Sequence, residues 1–183
     1  MEEVVLGLGS NRSFEGQKPV ELLARAVASL SSTLKNCVHS SVYKTGALYV
    51  TNQEDFYNMV VLGGFEGTPR QLLDTIHSVE NRFGRDRSRE IRNGPRPLDI
   101  DIELFGNRQI DEGDLVVPHV RLTERAFVLV PLVEILRNSA DDSDRDIVFI
   151  RALLGKYTPF LEKVRDQKIE CTLDASKFSL LLK

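Results

Sequence analysis

Residues 93–106 read NGPRPLDIDIELFG and join a turn to an alternating strand. Gly94, Pro95 and Pro97 exclude a helix at the start of this stretch. From Leu98 onward, apolar and acidic residues alternate as they do in a half-buried strand. The alternation predicts four apolar side chains on one face: Leu98, Ile100, Ile102 and Leu104. It predicts three acidic side chains on the other face: Asp99, Asp101 and Glu103.

Two of these carboxylates form a candidate metal site. Side chains two apart on a strand lie roughly 7 Å from each other, so Asp99 and Asp101 point the same way at a distance suited to hard cations. Such a pair can hold two magnesium ions around a triphosphate. Without metal the two charges repel each other, and one pKa should rise. An amphipathic strand with a solvated acidic face explains the DID pattern equally well.

A cluster of arginines runs into this strand and favours the metal interpretation. Six of them fall within fifteen residues: Arg82, Arg85, Arg87, Arg89, Arg92 and Arg96. Arginine binds phosphate oxygens through paired hydrogen bonds. An exposed charged loop is the simpler interpretation, and we prefer it for Arg89 and Arg108. Arg85, Arg92 and Arg96 flank the Gly-Pro turn and are candidate phosphate ligands.

The composition is that of an ordinary globular domain. Of 183 residues, 42% are hydrophobic and 28% charged, and the net charge of −3 is too small to suggest a nucleic-acid or membrane partner. Cys37 and Cys171 match no metal or redox motif and are expected to be reduced thiols in a cytoplasmic protein. We expect no membrane span. Residues 1–10 begin with two glutamates after Met1 and are expected to form a strand rather than a signal peptide.

The order of predicted elements indicates the fold class. A strand over residues 4–8, a helix over 19–35 and strands over 38–44 and 56–65 are followed by a helix over 69–83 and the strand from Asp99. The loop over 45–55 is longer than a hairpin needs, which suggests a function. The order βαββαβ is that of a ferredoxin-like α+β fold. We expect one domain over residues 1–183.

The C-terminal third is expected to add helices to this core. Thr123 is predicted to cap a helix through Leu136, and Gly155 to end another over residues 147–154. The core then covers about residues 1–160, and residues 161–183 form an extension of unknown role. The final FSLLLK is predicted to add a strand or to pack on the surface.

Three further signals are weak when taken singly. His119 is a lone histidine, and lone histidines are more often structural than catalytic. Residues 7–11 (GLGSN) match neither a Walker loop nor GxGxxG, and a strand-ending turn explains them. Phe56 and Asn58 fit a core aromatic residue and a turn amide.

Taken together, the motifs resemble those of the 6-hydroxymethyl-7,8-dihydropterin pyrophosphokinase family of folate biosynthesis. The resemblance rests on six segments in the family's order: GLGSN at 7–11, FYNMV at 56–60, ENRFGRDR at 80–87, RNGPRPLDIDIELFG at 92–106, VPH at 117–119 and RAF at 125–127. It implies a monomeric ferredoxin-like, three-layer αβα fold with an antiparallel sheet and added C-terminal helices. It also implies a cytoplasmic enzyme that transfers pyrophosphate from ATP to the pterin hydroxymethyl group and leaves AMP.

The resemblance also implies roles for individual residues. Asp99 and Asp101 match the ligands of two magnesium ions. Four positions match mobile-loop and phosphate-contacting arginines: Arg85, Arg87, Arg92 and Arg96. Positions on the nucleotide side further include Glu80, Ile102, His119 and Arg125. The pterin pocket is matched by Thr45, Leu48, Phe56, Asn58 and Phe127, with two aromatic rings enclosing the pterin and an amide reading its polar edge.

Several positions depart from the family's pattern. Asn93 stands where a tryptophan is frequent, and the chain has no tryptophan. Phe56 replaces a tyrosine, Val120 replaces a tyrosine, and His77 replaces a glutamine. Two alternatives stay open: another magnesium-dependent nucleotidyl or phosphoryl transferase, and a non-catalytic ferredoxin-like binding module.

Overall fold

In a computed structural model that describes residues 1–47, 52–86 and 94–182, a central sheet carries helices on both faces. The strands are β1 (Glu2–Ser10), β2 (Lys35–His39), β3 (Val42–Thr45), β4 (Phe56–Phe65), β5 (Asp99–Phe105), β6 (Ile110–Glu112), β7 (Leu115–Val117) and β8 (Glu170–Leu173). The α-helices are α1 (Pro19–Ser31), α2 (Pro69–Arg82), α3 (Ala126–Asn138), α4 (Ile147–Tyr157), α5 (Leu161–Val164) and α6 (Ala175–Phe178).

The strand order confirms the ferredoxin-like prediction. The sheet runs β5-β1-β4-β3-β8, with β2 also beside β4, and its paired neighbours are antiparallel. Helices α1 and α2 carry the chain across one face, so β4 lies between β1 and the β2–β3 pair. Strands β6 and β7 form a separate hairpin.

The single strand predicted over residues 38–44 is in fact two strands. It breaks at Ser40 and Ser41, whose side chains form hydrogen bonds that a continuous strand would not. The Ser40 hydroxyl accepts from the Val60 amide at 2.9 Å, and the Ser41 hydroxyl donates to Glu134 on α3 at 2.6 Å. These contacts tie the break to β4 and to α3.

Two apolar cores lie on opposite faces of the sheet and give it three layers. Leu6, Leu23 and Ile76 belong to the core beneath α1 and α2. Val5 and Leu129 belong to the core beneath α3 and α4. Neighbouring residues Val5 and Leu6 enter different cores because successive strand side chains face opposite ways.

Helix ends follow local chemistry in some places and depart from the predictions in others. The Thr68 side chain accepts from the Gln71 amide at 3.2 Å and caps α2, which ends before Gly84 at φ +79°. Thr123 does not cap α3, because it lies in a 3₁₀ turn over Leu122–Glu124 and the helix begins at Ala126. Gly155 does not end α4, which continues to Tyr157.

The C-terminal segment is an integral part of the fold. Val164 packs into the second core, β8 pairs with β3, and Phe178 is fully buried in the first core. Residues 178–182 of the FSLLLK segment are helical rather than a strand, and Phe178 points inward. None of the helices in the described ranges combines the length and apolarity that crossing a bilayer requires.

Candidate active site

The sheet's central strands form the floor of a cleft of about 280 Å³. Gly9 on β1 lies between Asp99 on β5 and Asn58 on β4, and Gly7 lies opposite Asp101. Acidic groups therefore line one side of the floor and an amide lines the other. The glycines between them keep the floor open.

Neighbouring side chains cover both glycines. A Cβ atom on Gly9 would lie 3.1 Å from Asn58 Oδ1, and one on Gly7 would lie 2.8 Å from Glu103 Oε1. The second distance is too short for a real side chain. The glycines are therefore needed so that Asn58 and Glu103 can lie across β1.

A β-bulge interrupts the alternation of β5. Val5 pairs with Leu104 and Leu6 with Ile102, so Glu103 is an extra residue on β5. Leu104 consequently packs in the second core, on the acidic face, while Ile102 packs in the first core. The predicted position of Leu104 beside Ile102 is thus wrong.

Asp99 is held by arginines from both flanks. Arg85 lies just after α2, and its guanidinium contacts both Glu80 and Asp99. Arg96 donates from Nη1 to Asp99 Oδ2 at 2.9 Å. The structure thus brings together Arg85, Arg96 and Asp99. Two guanidinium groups therefore lie beside Asp99, at the place where the sequence predicted phosphate and metal.

Asp101 lies deeper, and its environment suits a bound cation. The pKa of Asp101 is raised to about 7, first by burial and second by the neighbouring negative charge of Asp99. Repulsion between the two aspartates is therefore present, although burial is the larger cause. In the described part of the chain, no three acidic, histidine or cysteine side chains converge closely enough to hold an ion. Two carboxylates on one strand face are a donor set that fits magnesium, which takes few carboxylates and fills its other positions with water and phosphate oxygens.

Asn11 joins three segments at the rim of the cleft. Its Oδ1 accepts from the Arg96 amide at 2.9 Å, and its Nδ2 donates to Gln53 Oε1 at 3.1 Å and to the Glu54 carbonyl at 3.0 Å. In return, the Arg96 carbonyl accepts from the Asn11 amide at 3.1 Å. Asn11 therefore fixes the backbone from which the Arg96 side chain reaches Asp99.

A family model described as 7,8-dihydro-6-hydroxymethylpterin-pyrophosphokinase matches residues 5–137. The chain belongs to this pyrophosphokinase family. A protein of Methylorubrum extorquens named 2-amino-4-hydroxy-6-hydroxymethyldihydropteridine pyrophosphokinase is 42% identical over 137 residues, which cover 74% of this chain and 83% of that protein.

Larger relatives contain the same unit. The Arabidopsis thaliana "Folate synthesis bifunctional protein" is 35% identical over 155 residues, which cover 83% of this chain and 31% of the plant protein. The chain thus spans less than a third of that relative. A crystal structure of Plasmodium falciparum HPPK-DHPS with pteroate superposes with a TM-score of 0.58 at 16% identity, covering 90% of this chain and 45% of that one. That likeness confirms the fold.

Four of the predicted pterin residues line the pyrophosphokinase cleft together: Thr45, Phe56, Asn58 and Phe127. Asn58 Nδ2 donates to Thr45 Oγ1 at 2.9 Å. This bond fixes the amide, so that Oδ1 lies over Gly9 and the two polar groups form one edge of the cleft. The Arg125 guanidinium lies 5.4 Å from the centre of the Phe127 ring.

On the predicted nucleotide side, only some residues line the cleft. His119 and Arg125 do so, and the His119 amide donates to the Glu103 carbonyl at 3.1 Å. The pKa of His119 is lowered to about 4, first by burial and then by the positive charges of Arg125 and Arg121. His119 Nδ1 accepts from the Arg121 amide at 3.2 Å, which leaves Nε2 to carry the proton of the neutral ring.

Two predicted nucleotide residues do not line the cleft through their side chains. Ile102 packs in the first core. The carboxylate of Glu80 is buried and accepts from the Ile100 amide at 2.8 Å as well as from Arg85. Glu80 therefore anchors Arg85 to β5. Leu48, Arg87, Arg92 and Asn93 lie outside the described residues.

Sequence reasoning overlooked two residues of the cleft. Asn11 was treated as part of a turn, and Glu103 as the third member of an acidic face. The signal for Glu103 was its place in the alternating row, but nothing local shows that it is fully buried. The signal for Asn11 was the GLGSN motif itself.

Proposed function

We propose that the chain transfers pyrophosphate from ATP to 6-hydroxymethyl-7,8-dihydropterin and releases AMP. The supporting observation is the cleft itself, in which Asp99 and Asp101 lie between flanking arginines and the edge formed by Asn58 and Thr45. A polyphosphate and a flat polar ring would thus meet above the two carboxylates. Family membership supplies the substrate class.

In this proposal the chain mainly positions its substrates and balances charge. Asp99 and Asp101 would hold two magnesium ions, and the bound metal would supply positive charge against the triphosphate. Arg85 and Arg96, with Arg87 and Arg92, stabilise the charge on the transferred phosphates. His119 and Arg125 bind the nucleotide, with Glu80 and Ile102 on the same side.

The pterin occupies the other half of the cleft. Phe56 and Phe127 enclose its ring, and Asn58 reads the polar edge through Oδ1, held in place by Thr45. Leu48 completes this pocket. The proposal further includes a monomer with small-molecule substrates only and a cytoplasmic location, for which the free state of Cys37 and Cys171 is the support.

The decisive experiment identifies the nucleotide product. The protein is incubated with ATP, magnesium and 6-hydroxymethyl-7,8-dihydropterin, and AMP, ADP and pyrophosphate are separated. AMP with pterin diphosphate supports the proposal. ADP indicates ordinary phosphoryl transfer, pyrophosphate release indicates nucleotidyl transfer, and no turnover indicates a binding module, and each of these results contradicts it.

A matched pair of variants tests the metal ligands. Asp101→Asn keeps the side-chain shape and removes the charge, so AMP formation should fall by about 100- to 1,000-fold. Asp111→Asn makes the same change at an exposed position on β6 and should leave the rate unchanged. Near-normal turnover by Asp101→Asn would show that the metal assignment is wrong.

A further inference from the structure

Glu103 is a fully buried acidic side chain for which the described part of the chain offers no hydrogen-bond partner. It is 0% exposed, and neither of its oxygens has a partner in the described ranges. A buried polar group left unpaired costs free energy, and native proteins rarely keep one without a reason. The side chain lines the cleft, so the missing partner belongs there.

The neighbouring side chains in the described ranges do not form hydrogen bonds with the Glu103 oxygens. Its Oε2 lies 3.9 Å from His119 Nδ1, but that nitrogen already accepts from the Arg121 amide. Arg125 is close enough to act on Glu103 electrostatically, yet its Nε is also buried and without a partner in the described ranges. The local geometry thus keeps the carboxylate among charged groups and leaves its oxygens available.

The bulge and Gly7 hold Glu103 in this place. As the extra residue of β5, Glu103 keeps the same face as Asp99 and Asp101. The missing side chain of Gly7 gives it space, because a Cβ there would lie 2.8 Å from Oε1. Two independent features of the backbone therefore direct one carboxylate toward the metal-binding aspartates.

The spacing suits an indirect contact with a metal ion. Residues two apart on a strand lie roughly 7 Å from each other. A magnesium–water bond of about 2.1 Å followed by a hydrogen bond of about 2.7 Å places a carboxylate oxygen about 5 Å from the ion. We place Glu103 outside the direct ligands, since no group of three acidic, histidine or cysteine side chains lies close enough to hold an ion within the described residues.

We propose that Glu103 is an outer carboxylate of the magnesium site, accepting hydrogen bonds from water on the ion that Asp101 binds. This inference rests on the proposed function and adds to it a positioning residue that sets metal affinity. Partners of this kind typically change metal affinity by about 10- to 100-fold.

The test measures metal binding directly. Manganese(II) is titrated by electron paramagnetic resonance into the full chain with α,β-methylene-ATP, which cannot be cleaved at the reacting bond. Glu103→Gln should weaken manganese binding by about 10- to 100-fold. Binding of the nucleotide without metal should be unchanged, and high metal concentration should restore the ternary complex.

Two further variants separate this role from a structural one. Gly7→Ala keeps the Glu103 side chain but displaces its carboxyl group, so it should weaken manganese binding in the same way. Glu134→Gln changes a carboxylate that binds Ser41 and Tyr43 away from the cleft, and it should leave manganese affinity at the wild-type value. Thermal unfolding of each variant confirms folding.

Defined results overturn the inference. Manganese affinity of Glu103→Gln within twofold of wild type contradicts it, as does an equal loss of metal-free nucleotide binding, which would make Glu103 a partner of Arg125 or His119. Failure of the proposed function looks different, because wild-type protein would then form no AMP or bind no metal–nucleotide complex.

Discussion

At the scale of single residues, two glycines shape the cleft as much as its charged side chains do. Gly7 and Gly9 leave β1 bare, and Glu103 and Asn58 lie across it instead. Each glycine therefore sets the position of a polar group on a neighbouring strand. A methyl group at Gly7 would displace Glu103, and one at Gly9 would displace Asn58.

Gly9→Ala should weaken pterin binding selectively. The new methyl carbon would lie 3.1 Å from Asn58 Oδ1 and 3.9 Å from Phe56 Cδ1, so the amide must shift. We expect the KM for the pterin to rise by about tenfold or more, since small displacements of positioning groups are costly. The KM for ATP should change little. Steady-state kinetics with each substrate varied in turn checks this, and an unchanged pterin KM contradicts it.

His119 should remain neutral well below neutral pH. Its folded pKa of about 4 lies below the unfolded value of about 6.5, so the unfolded chain takes up a proton first as pH falls. This group therefore lowers stability progressively between about pH 6.5 and 4, and the loss is complete below that range. A nuclear magnetic resonance titration of the imidazole measures the pKa directly. Protonation of His119 near pH 6.5 would contradict the burial argument.

Alternation alone predicts that Asp99 and Asp101 share one face of β5, because this depends only on the strand that carries them. Asn11 could not be predicted in this way, since its partner Arg96 lies 85 residues away in the chain. Glu103 needed knowledge of the bulge, which depends on the pairing of two distant strands. Local patterns therefore identify the two candidate carboxylates more readily than the residues that position them.

At the scale of elements, helix starts marked by proline were predictable. Pro19 and Pro69 open α1 and α2 because proline suits the first turn. Gly155 was expected to end α4, yet it lies inside the helix, where packing and the following residues continue the hydrogen bonding. A glycine inside a helix raises the conformational entropy lost on folding.

Gly155→Ala should therefore stabilise the protein. Its φ is not positive, and a Cβ there would meet nothing within 4 Å, so alanine fits without strain. The expected gain is about 0.5–1 kcal/mol in the free energy of unfolding. Urea unfolding monitored by circular dichroism measures it. Gly84→Ala provides the opposite control, because Gly84 has φ +79° and contacts Phe14, and it should destabilise.

The divided strand β2–β3 shows where element prediction fails. Residues 38–44 favour a strand throughout, but Ser40 and Ser41 break it by bonding to β4 and α3. Both partners are distant in sequence. The local sequence does not predict the break, because Glu134 comes close to Ser41 only in the folded chain.

At the scale of the whole molecule, the fold was predictable because its order of elements admits few topologies. The two cores arise from strands that are apolar on both faces, as in β1 and β4. The C-terminal segment was not predictable. Its strand is short and polar, and no local pattern shows that Phe178 is buried in the first core.

Phe178→Ala should test how far this segment stabilises the whole protein. The ring is 0% exposed and packs against His39, with ring centroids 4.9 Å apart. Its removal should cost about 3–5 kcal/mol in the free energy of unfolding. Leu180→Ala, at a position 63% exposed, should change stability by about 0.5 kcal/mol or less. Equal effects of the two substitutions would show that the segment is not part of the core.

The position of β8 also bears on aggregation. It pairs along β3 and covers the amide and carbonyl groups that β3 would otherwise present to solvent. An uncovered strand edge can recruit strands from other molecules. β8 is a poor template itself, because it is only four residues long and begins with the charged Glu170. Loss of β8 would therefore not stay local, since it would expose an edge of β3 to which strands of other molecules can add.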